Sequence, residues 1–259
     1  AVASIVENNI HGLDIDERAV QLANFEIMMK GCQYDRRFLQ REISPNIYSI
    51  HESNMLDSNC VDYFCDGDDS VRREMTKLID QFHNAKIYGS VITSKGIDFD
   101  VLNHRITEIQ DDINMNKDLA LGTIRPLIRS AELLSKQYYA VFTNPPYMAT
   151  RYMPDALKKY VSDNYSDYKS DLFAAFIVRC REMCLPHGCL GFLTPYVWMF
   201  IQSYEMLRDY VYKHMTFSSL VQLEYNAFEA ACVPVAAFTL KNYKADVPFE
   251  CVKLSDFKG

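Results

Sequence analysis

Compact apolar segments alternate with amphipathic stretches near the start of the chain. Residues 10–15 and 46–50 are short segments typical of buried strands. Between them, apolar side chains recur at helical spacing from Glu17 to Lys30, with Asp16 in the N-cap position and Gly31 as a C-terminal stop. This part of the chain therefore predicts a strand–helix–strand unit.

Helical periodicity dominates the next part of the chain. After an acidic and polar stretch, Ser70 is placed to cap a helix whose apolar residues recur every three or four positions. A second helix is predicted near 100–113, and a third over 124–136 with Pro126 in its first turn. We therefore expect a helical insert over about residues 58–137, between two groups of strands.

Strands and helices alternate in the second half of the chain. The apolar segment Tyr138–Thr143 predicts a strand that runs directly into Asn144-Pro145-Pro146-Tyr147. The other predicted elements are a helix over 171–184, a strand over 189–193, a helix from a Ser203 cap to Lys213, and strands near 217–223 and 234–241. This alternation predicts an α/β fold with a mostly parallel sheet covered by helices on both faces.

The composition is that of a globular protein, with 49% hydrophobic and 24% charged residues among 259. A formal charge of −7 disfavours a dedicated nucleic-acid-binding module, which is usually basic. The eight cysteines are irregularly spaced and no export signal precedes them, so we expect reduced thiols and a cytoplasmic location. The chain begins with Ala1 in what resembles the end of a helix, so we expect it to be part of a longer polypeptide.

The segment Asn144-Pro145-Pro146-Tyr147 carries the most specific chemistry. Ligands of open α/β sheets bind beyond the carboxyl ends of the strands, and this segment follows such an end. The two prolines fix the backbone and remove two donors, which leaves the Asn144 side-chain oxygen and the Pro145 carbonyl as acceptors. Tyr147 adds a flat apolar face. The set suits a planar substrate with an amino group, although the same four residues also serve as a rigid turn.

Acidic residues follow the first predicted strand. A carboxylate in this position binds ribose hydroxyls in nucleotide-binding α/β folds. We assign Asp14 to that role and Asp16 to the helix cap, the alternative being that both only cap the helix. Asn54, after the next strand, is placed to bind an adenine amino group, or it is an ordinary loop residue.

A metal site is disfavoured. Cys180, Cys184, His187 and Cys189 lie within ten residues, but the first two fall on the apolar face of a helix and the last opens a strand. Structural zinc sites use tighter Cys-x₂₋₄-Cys knuckles in loops.

Five short segments occur in a characteristic order: Gly12–Asp16, Asn54–Leu56, Asn144–Tyr147, Ser170–Phe173 and Gly188–Pro195. In this order they resemble the amino-group DNA methyltransferases that modify adenine using S-adenosylmethionine. The resemblance is greatest to the large adenine-specific enzymes of BREX (PglX-like) phage-resistance systems and of single-chain restriction-modification systems. It implies a Rossmann-like methyltransferase sheet with a helical insert, and residues 1–259 as part of one catalytic domain.

The resemblance implies a cofactor site and a target site. S-adenosylmethionine would be held by Asp14 on its ribose, by Asn54 and Met55 on its adenine, and by Ile15. Asp171-Leu172-Phe173 would line the cofactor or base pocket, with Asp171 assigned to the cofactor. The target amine would donate to Asn144 and Pro145, with Pro146 fixing the turn. Tyr147 would stack on the target base, and Phe228 would be a second stacking aromatic.

The implied partner is double-stranded DNA with a flipped adenine, because the base cannot reach such a pocket inside a duplex. The family's first strand and glycine-rich cofactor loop are missing. In the family that strand lies between the strands expected here at 10–15 and 138–143, so we expect a gap in the sheet. The family's sequence-reading domain is missing too, and upstream and downstream segments of the same polypeptide are expected.

Two other functions remain open at this point. Enzymes that methylate a protein glutamine or an RNA guanine also use Asn-Pro-Pro-Tyr. Alternatively, the domain is catalytically silent and acts as a nucleic-acid-binding scaffold.

Overall fold

The computed structural model describes residues 2–224 and 233–254. The chain divides into two compact units, Ala1–Ser135 and Lys136–Gly259. In the described residues, none of the helices has the length and apolar character that crossing a membrane requires.

The first unit is built on a strand–helix–strand motif. Helix α1 (Val2–Asn8) precedes strand β1 (His11–Asp14), and helix α2 (Glu17–Tyr34) connects β1 to strand β2 (Asn46–Ser49). The two strands are parallel, with Asp14 opposite Ser49. Their carboxyl ends, and the residues that follow them, therefore lie at the same edge of this small sheet.

The structure confirms one end of the predicted α2 helix and corrects the other. Asp16 is the N-cap, and its Oδ1 accepts from the Arg18 amide at 2.9 Å. The expectation that Gly31 stops the helix is wrong, because α2 continues to Tyr34. A Cβ on Gly31 would lie 2.4 Å from the Phe38 ring, so this glycine provides room for an aromatic side chain within the helix.

Helices fill the rest of the first unit: α3 (Ser58–Cys65), α4 (Asp69–Gln81), α5 (Ala85–Tyr88), α6 (Phe99–Glu108) and α7 (Asn116–Ser135). Helix α6 packs against α4 and α7, and Phe64 of α3, Leu78 of α4 and Leu102 of α6 are fully buried. Two predicted details are wrong. Asp68, and not Ser70, caps α4, since its carboxylate accepts from two amides. Pro126 lies inside α7 because that helix begins at Asn116.

The second unit contains a five-stranded sheet. Its elements are β3 (Tyr138–Thr143), α8 (Asp155–Asn164), α9 (Leu172–Glu182), β4 (Cys184–Pro195), α10 (Glu205–His214), β5 (Thr216–Gln222), β6 (Val235–Lys241) and β7 (Glu250–Lys253). The strand order is β3-β4-β6-β5-β7. The α/β class is confirmed, but the sheet is mixed and not mostly parallel, because β6 is antiparallel to both of its neighbours.

Strands β1 and β3 belong to different sheets, and the missing strand expected between them stays a prediction. Strand β3 is at one edge of its sheet, and Tyr139 and Phe142 on it are each 67% exposed. Strands of parallel sheets are normally covered on both faces. The exposure of the Tyr139 and Phe142 side chains is therefore unusual for a strand that pairs in parallel with β4.

Candidate functional site

The Asn144–Tyr147 segment leaves the sheet at the carboxyl end of β3, next to the carboxyl end of parallel β4. Pro145 is buried, whereas Asn144 and Pro146 are exposed and Tyr147 is 38% exposed. The proline ring between Asn144 and Pro146 anchors the turn, and the amide side chain is left at the surface. This is the placement that the sequence predicts for an acceptor facing a ligand.

The Tyr147 hydroxyl lies between two acceptors. It is 3.0 Å from Asn144 Oδ1 and 3.1 Å from the Leu193 carbonyl of β4. Partial burial raises the pKa of Tyr147, so the group keeps its proton and acts as a donor. Because a phenol has one proton, it can satisfy only one of the two acceptors at a time.

Two further aromatic rings support Tyr147. The Phe173 ring meets it edge-on, with ring centroids 6.5 Å apart. The Tyr204 ring in turn stacks on the Phe173 ring, with centroids 5.6 Å apart and an interplanar angle of 25°. Burial raises the pKa of Tyr204 to about 12, with a smaller contribution from the nearby charge of Asp171. The three rings form a fixed apolar series that begins at the exposed Tyr147 face.

Asp171 connects this loop to helix α9. It is buried, it caps α9, and its Oδ1 accepts from the amides of Met148 at 2.9 Å and Phe173 at 3.3 Å. The segments are also joined by the Leu172 amide, which donates to the Met148 carbonyl at 3.0 Å. Burial raises the pKa of the Asp171 carboxyl, against the lowering effect of the amides that donate to it.

A cavity of about 430 Å³ adjoins Asn144 on the sheet. Its wall includes Asn144, Phe142 and Gly191, with side chains from β5 and β6 that range in size from Ala237 to Phe238. A Cβ on Gly191 would lie 2.2 Å from the Phe142 ring, so this glycine is what lets the Phe142 ring lie across the sheet. Space is therefore present on one side of the Asn144 backbone.

Four of the predicted cofactor residues, Asp14, Ile15, Asn54 and Met55, lie in the first unit, whereas Asp171 lies in the second. Asp14 ends β1, is exposed, and its Oδ1 accepts from the Asp16 amide at 2.8 Å. Ile15 follows with 51% of its surface exposed. An exposed carboxylate in a fixed orientation beside an apolar side chain is a suitable acceptor for a diol.

Asn54 and Met55 follow β2 at the same edge of the first sheet. Met55 is 91% exposed. The Asn54 amide is already paired with Asn84, donating to Asn84 Oδ1 at 2.7 Å and accepting from the Asn84 amide at 2.6 Å. Asn84 has a positive φ of 62°, so Asn54 holds a turn in a conformation that non-glycine residues rarely adopt.

The remaining candidates are accounted for as follows. Phe228, expected as a second stacking aromatic, lies outside the described residues. Cys180 is on α9, and Cys184 and Cys189 are on β4. Burial raises the pKa of Cys180 to about 12 and that of Cys184 to about 11, so both stay protonated and pack as neutral side chains.

Sequence reasoning missed Leu193 and Tyr204. Leu193 takes part through its backbone carbonyl, which no side-chain pattern reveals. Tyr204 lies 57 positions after Tyr147, and only the packing of the segment before α10 against Phe173 brings it to the site. Phe173 lies in the Ser170–Phe173 segment, but its edge-on contact with Tyr147 depends on packing between segments and was not predicted.

The sequence of this chain is similar to those of known proteins. Residues 8–228 match the family described as Eco57I restriction-modification methylase. The chain is 34% identical over 220 residues to the adenine-specific methyltransferase PglX of Lacticaseibacillus casei, covering 81% of this chain and 18% of that protein. It is 31% identical over 265 residues to the adenine-specific methyltransferase BrxX of Escherichia coli, covering 92% and 22%.

The chain thus spans about a fifth of the length of these relatives. A solved structure of a nuclease-deletion mutant of the Type ISP restriction-modification enzyme LlaGI, in complex with a DNA substrate mimic, matches with a TM-score of 0.44 and 15% identity. That match covers 96% of this chain and 25% of the other. The family match includes β1, the helical region and the Asn144–Tyr147 segment, and this chain belongs to the Eco57I restriction-modification methylase family.

Proposed function

We propose that this chain is part of an enzyme that transfers a methyl group from S-adenosylmethionine to the exocyclic amine of adenine in DNA. The observation that carries the proposal is the exposed Asn144 side-chain oxygen, held at the end of β3 beside the Tyr147 ring. The names of the relatives PglX and BrxX, both adenine-specific methyltransferases, support it. We place the enzyme in the cytoplasm, within restriction-modification or phage defence.

The residues of the first unit fit the cofactor. Asp14 offers a carboxylate for the ribose hydroxyls, and the exposed side chains of Ile15 and Met55 offer apolar faces for its base. The Asn54 side chain is engaged with Asn84, so we assign it to holding the loop that carries Met55. When bound, S-adenosylmethionine supplies an electrophilic methyl group on a sulfonium sulfur.

The target nitrogen is a poor nucleophile because its lone pair is delocalised into the ring. Asn144 Oδ1 and the Pro145 carbonyl accept its two N–H bonds, which favours a pyramidal nitrogen and stabilises the positive charge that develops on it. Asn144 and Pro145 would hold the nitrogen for attack on the methyl group that bound S-adenosylmethionine would supply, its sulfur leaving as a neutral thioether, and one N–H proton would pass to water. The residues act by fixed acceptors, and a general base is not needed.

Tyr147 has a second role besides stacking on the base. Its hydroxyl occupies Asn144 Oδ1 before the target arrives, and the Leu193 carbonyl is an acceptor at nearly the same distance. The hydroxyl can therefore turn to Leu193 when the target amine donates to Asn144. This exchange keeps the hydroxyl hydrogen-bonded in both states, so opening the site costs little.

The partner is double-stranded DNA from which the target adenine is extruded. A base inside the duplex cannot present its amine to Asn144, and extrusion costs a few kcal/mol. Stacking of the extruded base on Tyr147 recovers about 1–3 kcal/mol. The −7 charge of the chain implies that phosphate contacts come largely from other parts of the polypeptide.

A further strand pairs with the open edge of β3. In the part of the chain that the structure describes, β3 is the end strand of its sheet and pairs with β4 alone. The relatives are about five times as long as this chain, so other parts of such a polypeptide are a ready source. Slower amide exchange over Tyr138–Thr143 in the full-length protein than in residues 1–259 alone would support this pairing, and equal rates would oppose it.

Radiolabelled methyl transfer tests the proposed function. Full-length protein is incubated with S-adenosylmethionine labelled in the methyl group and with DNA from a host that lacks adenine methylation. Nucleosides are then separated, and the Asn144→Ala protein supplies the background. We expect label in N6-methyladenine.

Each other outcome points elsewhere. Label in protein or RNA, with none in DNA, would favour methylation of a glutamine or of a guanine amine. A folded protein that binds DNA but transfers no label to any of these would favour a scaffold.

A further inference from the structure

We propose that Asp171 is a positioning residue for residues 144–148, the target loop. Its side chain accepts hydrogen bonds from backbone amides, whether it is neutral or charged, and it touches neither cofactor nor target. The inference rests on the proposed function, because the pose it maintains is that of Asn144 and Tyr147. Its basis is the pair of hydrogen bonds that one carboxylate oxygen accepts, from the Met148 amide at the end of the target loop and from the Phe173 amide at the start of α9.

The first bond holds the target loop. The Met148 amide directly follows Tyr147 and donates to Asp171 Oδ1 at 2.9 Å. One residue later, Ala149 forms an isolated antiparallel bridge with Asp171. The backbone on the carboxyl side of Tyr147 is therefore tied to a residue that is only 8% exposed. Pro145 and Pro146 constrain the other side, so the tyrosine is fixed from both directions.

The second bond holds the ring on which Tyr147 rests. Asp171 Oδ1 accepts from the Phe173 amide as the N-cap of α9, and this places the Phe173 ring against Tyr147. A single oxygen thus sets the position of both members of the edge-on aromatic pair. Because side chains on α9 are mostly buried, the helix start is a rigid reference for the loop.

The arrangement needs an acceptor and not a charge. Both donors are neutral backbone amides, and both bonds use Oδ1. Asparagine has an oxygen in the same position and can accept both bonds. Burial disfavours the ionised carboxylate. Serine is shorter by one bond: it caps helices well, but its hydroxyl cannot also reach the Met148 amide.

Three variants of the full-length protein separate the two hydrogen bonds that Asp171 accepts, one from Met148 and one from Phe173. Asp171→Asn keeps both bonds, Asp171→Ser keeps the cap and loses the Met148 bond, and Asp171→Ala loses both. Asp167→Ala, at an exposed carboxylate four positions earlier, is the matched control. The readouts are kcat, KM for S-adenosylmethionine, thermal unfolding, and hydrogen exchange of the Met148 amide.

We expect Asp171→Asn to stay within about threefold of the wild-type kcat, because both amides keep an acceptor. Asp171→Ser is expected to unfold near the wild-type temperature and to exchange the Met148 amide faster. It should lose about 10- to 100-fold in kcat with an unchanged KM for S-adenosylmethionine, because displacement of a positioning group by about 1 Å has that effect. Asp171→Ala loses kcat in the same way and is less stable.

Two results would overturn the inference. If Asp171→Asn loses as much kcat as Asp171→Ser, or raises the KM for S-adenosylmethionine, then the charge acts directly on a ligand. If Asp171→Ser has the wild-type exchange rate at the Met148 amide and the wild-type kcat, then the hydrogen bond between Asp171 and Met148 does not position the loop. Hydrogen exchange of the Met148 amide does not depend on methyl transfer. If the wild-type protein fails to methylate adenine, the proposed function is refuted, and the exchange rates of the variants still test the contact between Asp171 and Met148.

Discussion

At the carboxyl end of β3, the loop that carries Asn144 is held by contacts within its own unit, from Asp171, Leu193 and the Phe173 ring. At the carboxyl end of β1, the predicted cofactor residues are largely exposed, with Met55 at 91% and Ile15 at 51%. The target side is thus preorganised before any ligand binds. The cofactor side offers a few fixed polar groups, and the ligand itself must cover its apolar side chains.

This difference sets the expected size of each mutational effect. A group on the preorganised side acts through charge that develops in the reaction, so its removal is costly. A group on the exposed side contributes to binding affinity alone. Residues that only hold turns affect stability.

The largest effect is expected for Asn144→Ala. Loss of one fixed acceptor at a centre of developing charge costs about 3–4 kcal/mol, which corresponds to a loss of roughly 100- to 1,000-fold in kcat. Affinity for S-adenosylmethionine, measured by calorimetry, should be unchanged because Asp14, Ile15 and Met55, which we propose contact it, lie in the first unit. Turnover within a few fold of the wild type would contradict the role given to Asn144.

Tyr147 separates stacking from hydrogen bonding. Tyr147→Ala removes the ring and should weaken kcat/KM for DNA by about 5- to 150-fold, the range measured for base stacking. Tyr147→Phe keeps the ring and frees Asn144 Oδ1, so its kcat/KM should equal or exceed that of the wild type. A large loss in Tyr147→Phe would show that the hydroxyl contributes directly to the reaction and does not merely occupy the acceptor.

Asp14 and Asp16 provide a matched pair on the exposed side. Asp14→Ala should weaken S-adenosylmethionine binding by about 10- to 100-fold, because hydrogen bonds to a charged group contribute about 1.5–3 kcal/mol. Asp16→Ala removes the α2 cap and should lower the melting temperature with little change in binding. Equal effects of the two changes on affinity would mean that Asp14 acts only through the helix.

The smallest effect on the reaction is expected for Asn54→Ala. It breaks two hydrogen bonds to Asn84 and should reduce the free energy of unfolding by about 1–2 kcal/mol. Cofactor affinity, measured in the folded protein, should change little. A strong loss of affinity at wild-type stability would restore Asn54 as a direct contact to the cofactor adenine.

Much of the local structure was predictable because it depends on neighbours in sequence. The apolar run of β3, the Asp16 cap and the two prolines after Asn144 act within a few residues, so the strand, the helix start and the turn could be read directly. Errors occurred where a distant residue decides. Gly31 looked like a helix stop, but the Phe38 ring that packs against it is the reason for the glycine.

The amino-acid sequence by itself determined the family, the α/β class and the residue types at the two predicted sites, since these follow from local patterns and from the order of short motifs. The tertiary structure alone decided which polar atoms are already engaged. Asn54 and Asp171 look equally available in sequence, yet one pairs with Asn84 and the other joins the target loop to α9. Hydrogen bonds between residues 23 to 46 positions apart depend on how elements pack, and no local pattern encodes that geometry.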